Sequence, residues 1–190
     1  MKNHQPGELI QDTNEALQML KEGNERYLAG NLCDKGSYAT DREVLATGQK
    51  PFAVVITCSD SRVAPEIYFD QRLGDIFIVR NAGNVADTTA LGSMEYAVEH
   101  LKTKLVVVVG HTKCGAVNAA CGGGELPPNI QHIINHIKPA VEKGGDPETV
   151  AKQNVNNMVE KIKDDEIVKH CGATVAGAVY DVHTGVVSWI

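Results

Sequence analysis

The sequence predicts a single α/β domain, residues 1–190, built on a mainly parallel β-sheet flanked by helices, with an antiparallel edge strand and an N-terminal helix. Three observations predict it. The chain has 190 residues, which at roughly 150 residues per domain is about one domain. Short, continuously apolar runs recur at 52–57, 75–79 and 105–109, the pattern of strands covered on both faces. Stretches with helical spacing of apolar residues alternate with them. The composition agrees: 43% hydrophobic and 22% charged residues are ordinary for a globular chain and exclude disorder, collagen and coiled coil.

Taken in order, Asp12 followed by Glu15 resembles a capping box with Asp in place of Ser or Thr. Ala16, Leu17, Leu20, Tyr27 and Leu28 then share helical spacing, giving a helix over 13–29 that Gly30 and Asn31 end. A short helix is expected at 40–47. The run Phe52–Thr57 is the first strand, Asp75–Val79 the second and Leu105–Val109 the third. A helix at 88–102 puts Leu91, Met94, Ala97, Val98 and Leu101 on one face. Residues 114–121, 129–137 and 147–163 read as helices, the last opened by Asp146 and Pro147. Thr174–Tyr180 and Val186–Ile190 form a final strand pair joined by residues 181–185. The glycine- and proline-rich stretch 121–128 reads as a loop.

The net charge of −6 and the lack of a dense Lys/Arg block make nucleic acid and anionic membrane poor partners. No apolar run approaches the roughly 20 residues of a membrane span. The N-terminal segment has no apolar core of a secretory signal, so a cytoplasmic location is expected. Cysteines number five. An odd count in such a chain argues against a disulfide framework and leaves packing, metal ligation or nucleophilic chemistry.

Chemistry concentrates at two strand ends, where open α/β sheets bind ligands. The first strand runs into Cys58-Ser59-Asp60-Ser61-Arg62. The third runs through Gly110 into His111-Thr112-Lys113-Cys114-Gly115. If both strands are parallel, two thiols, an imidazole, a carboxylate and a guanidinium share one edge. Cys58, His111 and Cys114 match the ligand types of zinc, and three protein ligands leave a fourth position open, as in catalytic sites. Two thiolates and a neutral imidazole also balance the dication. Asp60 could fill the fourth position, or Arg62 could hold it ionised and leave that position to water. A reactive-thiol or redox site fits the same residues.

Plainer readings apply elsewhere. Gly110 and Gly115 have P-loop spacing, but Ala116 stands where Lys is required. His132 and His136, at i and i+4, lack a visible third ligand. Cys33, Cys121 and Cys171 read as structural or free thiols, and Arg80-Asn81 as structural support.

Cys58-Ser59-Asp60-Ser61-Arg62, Arg80-Asn81-Ala82-Gly83-Asn84 and His111-Thr112-Lys113-Cys114-Gly115, in that order and spacing, resemble the β-class carbonic anhydrases. The resemblance covers about residues 13–190. It implies a lyase that hydrates carbon dioxide reversibly to bicarbonate and a proton by zinc-bound hydroxide, with Zn2+ on Cys58, His111 and Cys114 and with Asp60 and Arg62 as the catalytic dyad. Asp60 would be a fourth ligand only in a closed form. Gln49, Phe77 and Tyr96 match the plant-like, open-site branch, and Val55 stands where the allosteric branch has Trp. The resemblance thus implies a substrate pocket lined by Gln49, Phe77, Gly83 and Tyr96, partly from a neighbouring subunit, and hence a homodimer or larger assembly. The chain departs from the family pattern at Ala82, Gly83 and Ala116. Alternatives on the same residues are hydrolysis of carbonyl sulfide or carbon disulfide, and a non-catalytic zinc or thiol protein.

Overall fold

The computed structural model describes residues 8–190. The N-terminal segment read for a secretory signal, residues 1–18, lies in part (1–7) outside the described residues. Strands β1 (Ala53–Cys58), β2 (Ile76–Asn81), β3 (Leu105–His111), β4 (Thr174–Tyr180) and β5 (Val187–Trp189) form one five-stranded sheet in the order β2-β1-β3-β4-β5. The pairings β1–β2, β1–β3 and β3–β4 are parallel, and β4–β5 is antiparallel, as the sequence predicts.

The apolar runs of β1 and β3 follow from burial on both faces. Ala53, Val55, Leu105, Val107 and Val109 point to one layer. It is covered by α1 (Thr13–Leu28) and by Tyr68 and Phe69 of the short helix α3 (Pro65–Tyr68) and its end. Val54, Ile56, Val106 and Val108 point to the opposite layer. There they meet α4 (Thr88–Glu99), α7 (Pro147–Lys163) and α8 (Glu166–Cys171). A third cluster lies beyond the carboxyl ends of the strands. In it Cys58, Val85 and Cys114 pack with α5 (Gly115–Gly122), α6 (Pro128–Val141) and the start of α7. The candidate ligands therefore sit on an apolar floor.

The helix α2 (Tyr38–Leu45) starts two residues before the expected position, with Ser37 as its cap. Helix α4 stops at Glu99 rather than 102, because the chain turns left-handed at Lys102 (φ 63°). Helix α6 runs on to Val141 through Pro139, whose side chain faces solvent. Strand β2 extends to Asn81, and β5 is shorter than expected. The short helices α3 and α8 and the 3-10 turn Ala82–Asn84 are absent from the sequence expectation. Among the described residues no helix is long and apolar enough to cross a membrane.

One buried polar side chain ties α1 to the rest. Asn24 donates through Nδ2 to the carbonyls of Tyr68 (3.0 Å) and Gly185 (2.9 Å), and its Oδ1 accepts from the Val187 N–H (3.0 Å). Its partners belong to α3 and to the β4–β5 hairpin, so one carboxamide joins three segments remote in sequence. A buried bond of this kind contributes about 1 kcal/mol, and each partner left unpaired costs about 1–3 kcal/mol. We expect Asn24→Ala to lower stability by about 2–4 kcal/mol, read as a fall in the urea midpoint. An unchanged midpoint would show that α1 is held by packing alone.

Candidate metal centre

Strands β1 and β3 are in register with Thr57 opposite Val109. The Thr57 hydroxyl donates to the Val109 carbonyl at 2.9 Å, fastening the strands just below their ends. Cys58 and His111 therefore emerge at the same edge. Beyond His111 the chain reverses at Lys113, in the left-handed region (φ 56°). That turn brings Cys114 back to cap α5, with its sulfur making no capping bond. The helix N-terminus there favours a thiolate.

Among the described residues, Cys58, His111 and Cys114 are the one set of three or more His, Cys, Asp or Glu side chains placed to hold a metal ion; their ligand atoms all lie within 4.8 Å of one another. A tetrahedral zinc ion, with bonds of about 2.3 Å to sulfur and about 2.0 Å to nitrogen, can gather such a set with small side-chain rotations. The donor chemistry fits as well. Ring nitrogen Nδ1 of His111 lies 2.9 Å from the Thr112 carbonyl. A carbonyl only accepts, so in the neutral ring Nδ1 carries the proton and Nε2 keeps its lone pair. That Nε2 is buried and has no hydrogen-bond partner, the state expected of a ligand atom. A second partner on the far ring nitrogen is the usual support of a metal-binding His.

The protonation of the two sulfurs is coupled. The hydrogen bond from Cys114 lowers the Cys58 pKa well below the ordinary thiol range against the opposing effect of burial, helped by the Gly83 N–H. The same bond, with burial, pushes the Cys114 thiol upward. The opposite shifts favour loss of the Cys58 proton before that of Cys114.

Asp60 sits on the solvent side of this floor. Arg62 donates to it from Nε (2.9 Å to Oδ1), Nη2 (2.8 Å to Oδ2) and its backbone N–H (3.0 Å to Oδ1). These bonds, the guanidinium's first, hold the Asp60 carboxyl well below the usual carboxylate range. Arg62 is itself anchored by donating to the Lys113 carbonyl at 3.3 Å, so the Asp60–Arg62 pair is tied to both loops that carry the candidate ligands. Arg80 donates to the carbonyls of Cys58 (3.1 Å) and Asp60 (2.8 Å). It thus fixes the backbone that presents both side chains, which gives the expected support role a specific form.

The four pocket residues are divided. Gly83 lies at the centre, and its N–H donates to Cys58 Sγ at 3.3 Å. Phe77 pairs with Val54, four residues below the level of Cys58 and Asn81, or about 13 Å along the strand. Its ring packs near Tyr96 (centroids 6.4 Å apart), and Tyr96 is 48% exposed. Both border the open edge of β2, where a groove of about 330 Å³ runs from Phe77 past Arg80 and Asp87. Gln49 is exposed just before β1, at the opposite edge of the sheet from Cys58. A single chain brings only Gly83 to the metal ligands.

His132 and His136 stack edge to face, 5.0 Å between centroids, with no third ligand among the described residues. Cys33 is exposed, and Cys121 and Cys171 are half-buried. Asn154 is a residue sequence reasoning missed. It is fully buried on α7 and donates to the Gly83 carbonyl at 3.0 Å. A polar residue on an otherwise apolar helix face was the available signal.

A family model described as carbonic anhydrase matches residues 53–187. Carbonic anhydrase 2 of Mycobacterium tuberculosis is 50% identical over 133 residues, 68% of this chain and 64% of that protein. The carbonic anhydrase of Mycolicibacterium smegmatis is 47% identical over 133 residues, 68% of this chain and 65% of its own length. The chain thus spans a little under two thirds of these relatives. Among solved structures, a tetrameric β-carbonic anhydrase of Sordaria macrospora superposes with a TM-score of 0.74 at 25% identity, covering 93% of this chain and 97% of that one. The β-carbonic anhydrase CafA of Aspergillus fumigatus gives 0.73 at 29% identity, covering 93% and 89%.

The geometry predicts a charge state. With the Cys58 thiol held well below its ordinary range by the bond from Cys114, the metal-free protein is expected to carry a thiolate at neutral pH and to lose it on acidification. Ultraviolet thiolate absorbance at neutral pH should disappear in Cys58→Ser. Absorbance that first rises near the ordinary thiol range in the unsubstituted chain would refute the coupled arrangement.

Proposed function

The chain belongs to the β-class carbonic anhydrases, and on that premise we propose that it catalyses the reversible hydration of carbon dioxide to bicarbonate and a proton. The observation that carries the reading is the juxtaposition at one sheet edge. Two thiols and an unpartnered imidazole nitrogen lie beside a carboxylate whose two oxygens are both engaged by an arginine. Cys58, His111 and Cys114 would hold zinc, which when bound would supply a Lewis acid that makes water nucleophilic near neutral pH.

The chain's own residues do the rest. Arg62 keeps Asp60 ionised, so Asp60 acts only as an acceptor. It takes a hydrogen bond from the attacking oxygen and turns that oxygen's lone pair toward the carbon of carbon dioxide. The new carbon–oxygen bond forms as one carbon–oxygen π bond opens, and the proton leaves to buffer. Because Arg62 occupies both carboxylate oxygens, Asp60 would have to break that pair to reach the metal, which favours the open-site form. As thiolates, Cys58 and Cys114 donate more negative charge than imidazoles would, and this moves activation of the nucleophile to higher pH.

The pocket calls for a second copy. Gln49, Phe77 and Tyr96 lie away from the ligands of their own chain, and the edge of β2 is open. In a homodimer or larger assembly these residues line the site of a neighbour, where Gln49 donates its amide to a substrate oxygen and the two rings exclude water. The tetrameric Sordaria relative supports an assembly of this kind.

Two outcomes follow. Stopped-flow hydration should rise from about pH 6.5 to about pH 9, and a flat profile would contradict the two-thiolate site. Asp60→Ala should keep its zinc and lose about 100-fold or more of the rate. Carbonyl sulfide hydrolysis without carbon dioxide hydration would replace the reading with the hydrolase one.

A further inference from the structure

We propose that Asn154 is a positioning residue for the metal ligand Cys58, acting through the peptide of Gly83; the inference rests on the zinc reading above. A short relay of hydrogen bonds carries it. Asn154 Nδ2 donates to the Gly83 carbonyl at 3.0 Å, and the Gly83 N–H donates to Cys58 Sγ at 3.3 Å. One residue of the 3-10 turn thus takes an anchor on one side and gives a bond to the sulfur on the other.

The turn is built for this contact. Gly83 has a φ of 74°, a region L side chains rarely adopt. A Cβ there would lie 2.7 Å from Ile137 Cδ1 and 3.2 Å from Ala116 Cβ. Asn81 clamps the ends of the turn, with Oδ1 accepting from the Val85 N–H (2.7 Å) and Nδ2 donating to the Val85 carbonyl (2.6 Å). The Gly83 carbonyl between those clamps takes its bond from Asn154. Helix α7 comes this close because Gly110, the residue before His111, has no side chain; a Cβ there would lie 2.5 Å from Val155 Cγ2.

Stability alone does not account for the residue. Asn154 is 0% exposed among Val150, Ala151, Val155 and Met158, and its Oδ1 is buried without a hydrogen-bond partner. Burying such an oxygen costs free energy that an apolar residue would avoid. What Asn provides and Leu cannot is the N–H that orients the Gly83 peptide. An N–H aimed at a thiolate draws charge from the sulfur and fixes its direction, the outer-shell support that ligands need. Without Asn154 the peptide is free to tilt, and Cys58 becomes a looser and more electron-rich ligand.

The test compares Asn154→Leu with the unsubstituted holoenzyme and with Val159→Ala, a control on the same helix that leaves the relay intact. Two readouts are used: the rate of zinc release to a chelator, and the sulfur-to-metal charge-transfer absorption of the cobalt(II)-substituted protein. Asn154→Leu is expected to release zinc about 10-fold faster or more and to shift the cobalt band, while Val159→Ala changes neither. Should the leucine variant fail to fold, Asn154→Ser, too short to reach Gly83, is expected to give the same two changes. Unchanged release and an unchanged band in these variants would overturn the inference, as would equal changes in Val159→Ala. Failure of the unsubstituted protein to take up either metal would instead overturn the zinc reading.

Discussion

Strands β1 and β3 are hydrogen-bonded in parallel with Thr57 opposite Val109, and both are sealed from water on their two faces. The site depends on that pairing. A slip of one residue would turn each side chain to the opposite face and would carry Cys58 away from His111 and Cys114. The register is held from several sides. The Thr57 hydroxyl bonds to β3, β4 extends the same parallel ladder to His111, and alternate side chains lock into two different helical layers. Precision at the ligands is thus supplied by a core that is itself unreactive.

Polarity is graded outward from that floor. The sulfurs pack with Val85, Val117 and Ile137, and His111 is fully buried, a setting whose weak screening would strengthen a hold on a cation. Asp60 and Arg62 stand at the rim, with side chains 18% and 50% exposed. The candidate ligands are therefore fixed in a dry setting, while the carboxylate proposed to orient the nucleophile stands at the rim. Arg80 connects the two zones through the carbonyls of Cys58 and Asp60, and the Gly83 turn holds the Cys58 sulfur. Such preorganised polar groups require no rearrangement when charge develops.

The sequence made the centre legible and its supports illegible, for a physical reason. A strand buried on both faces must be apolar throughout, so 52–57 and 105–109 announced themselves, and reactive residues at their ends stood out against that background. Cys58, His111, Cys114, Asp60 and Arg62 were all visible in this way. The four-residue helix α3 is too short to show a period. Asn24 and Asn154 act through backbone groups 44 to 163 residues away, and nothing local marks such a partner. Phe77, Tyr96 and Gln49 were picked out by family likeness, and in one chain they stand apart from the ligands because their proposed role lies across an interface.

The claim on which the account turns is that the chain contributes two sulfurs and one imidazole to zinc and leaves one position open. X-ray absorption at the zinc edge of the loaded protein, near neutral pH, tests it most directly. The account predicts two sulfur neighbours at about 2.3 Å and two lighter ones at about 2.0 Å, one of which comes from outside the chain. A shell of three or four sulfurs, or a protein that takes up no zinc, would contradict it.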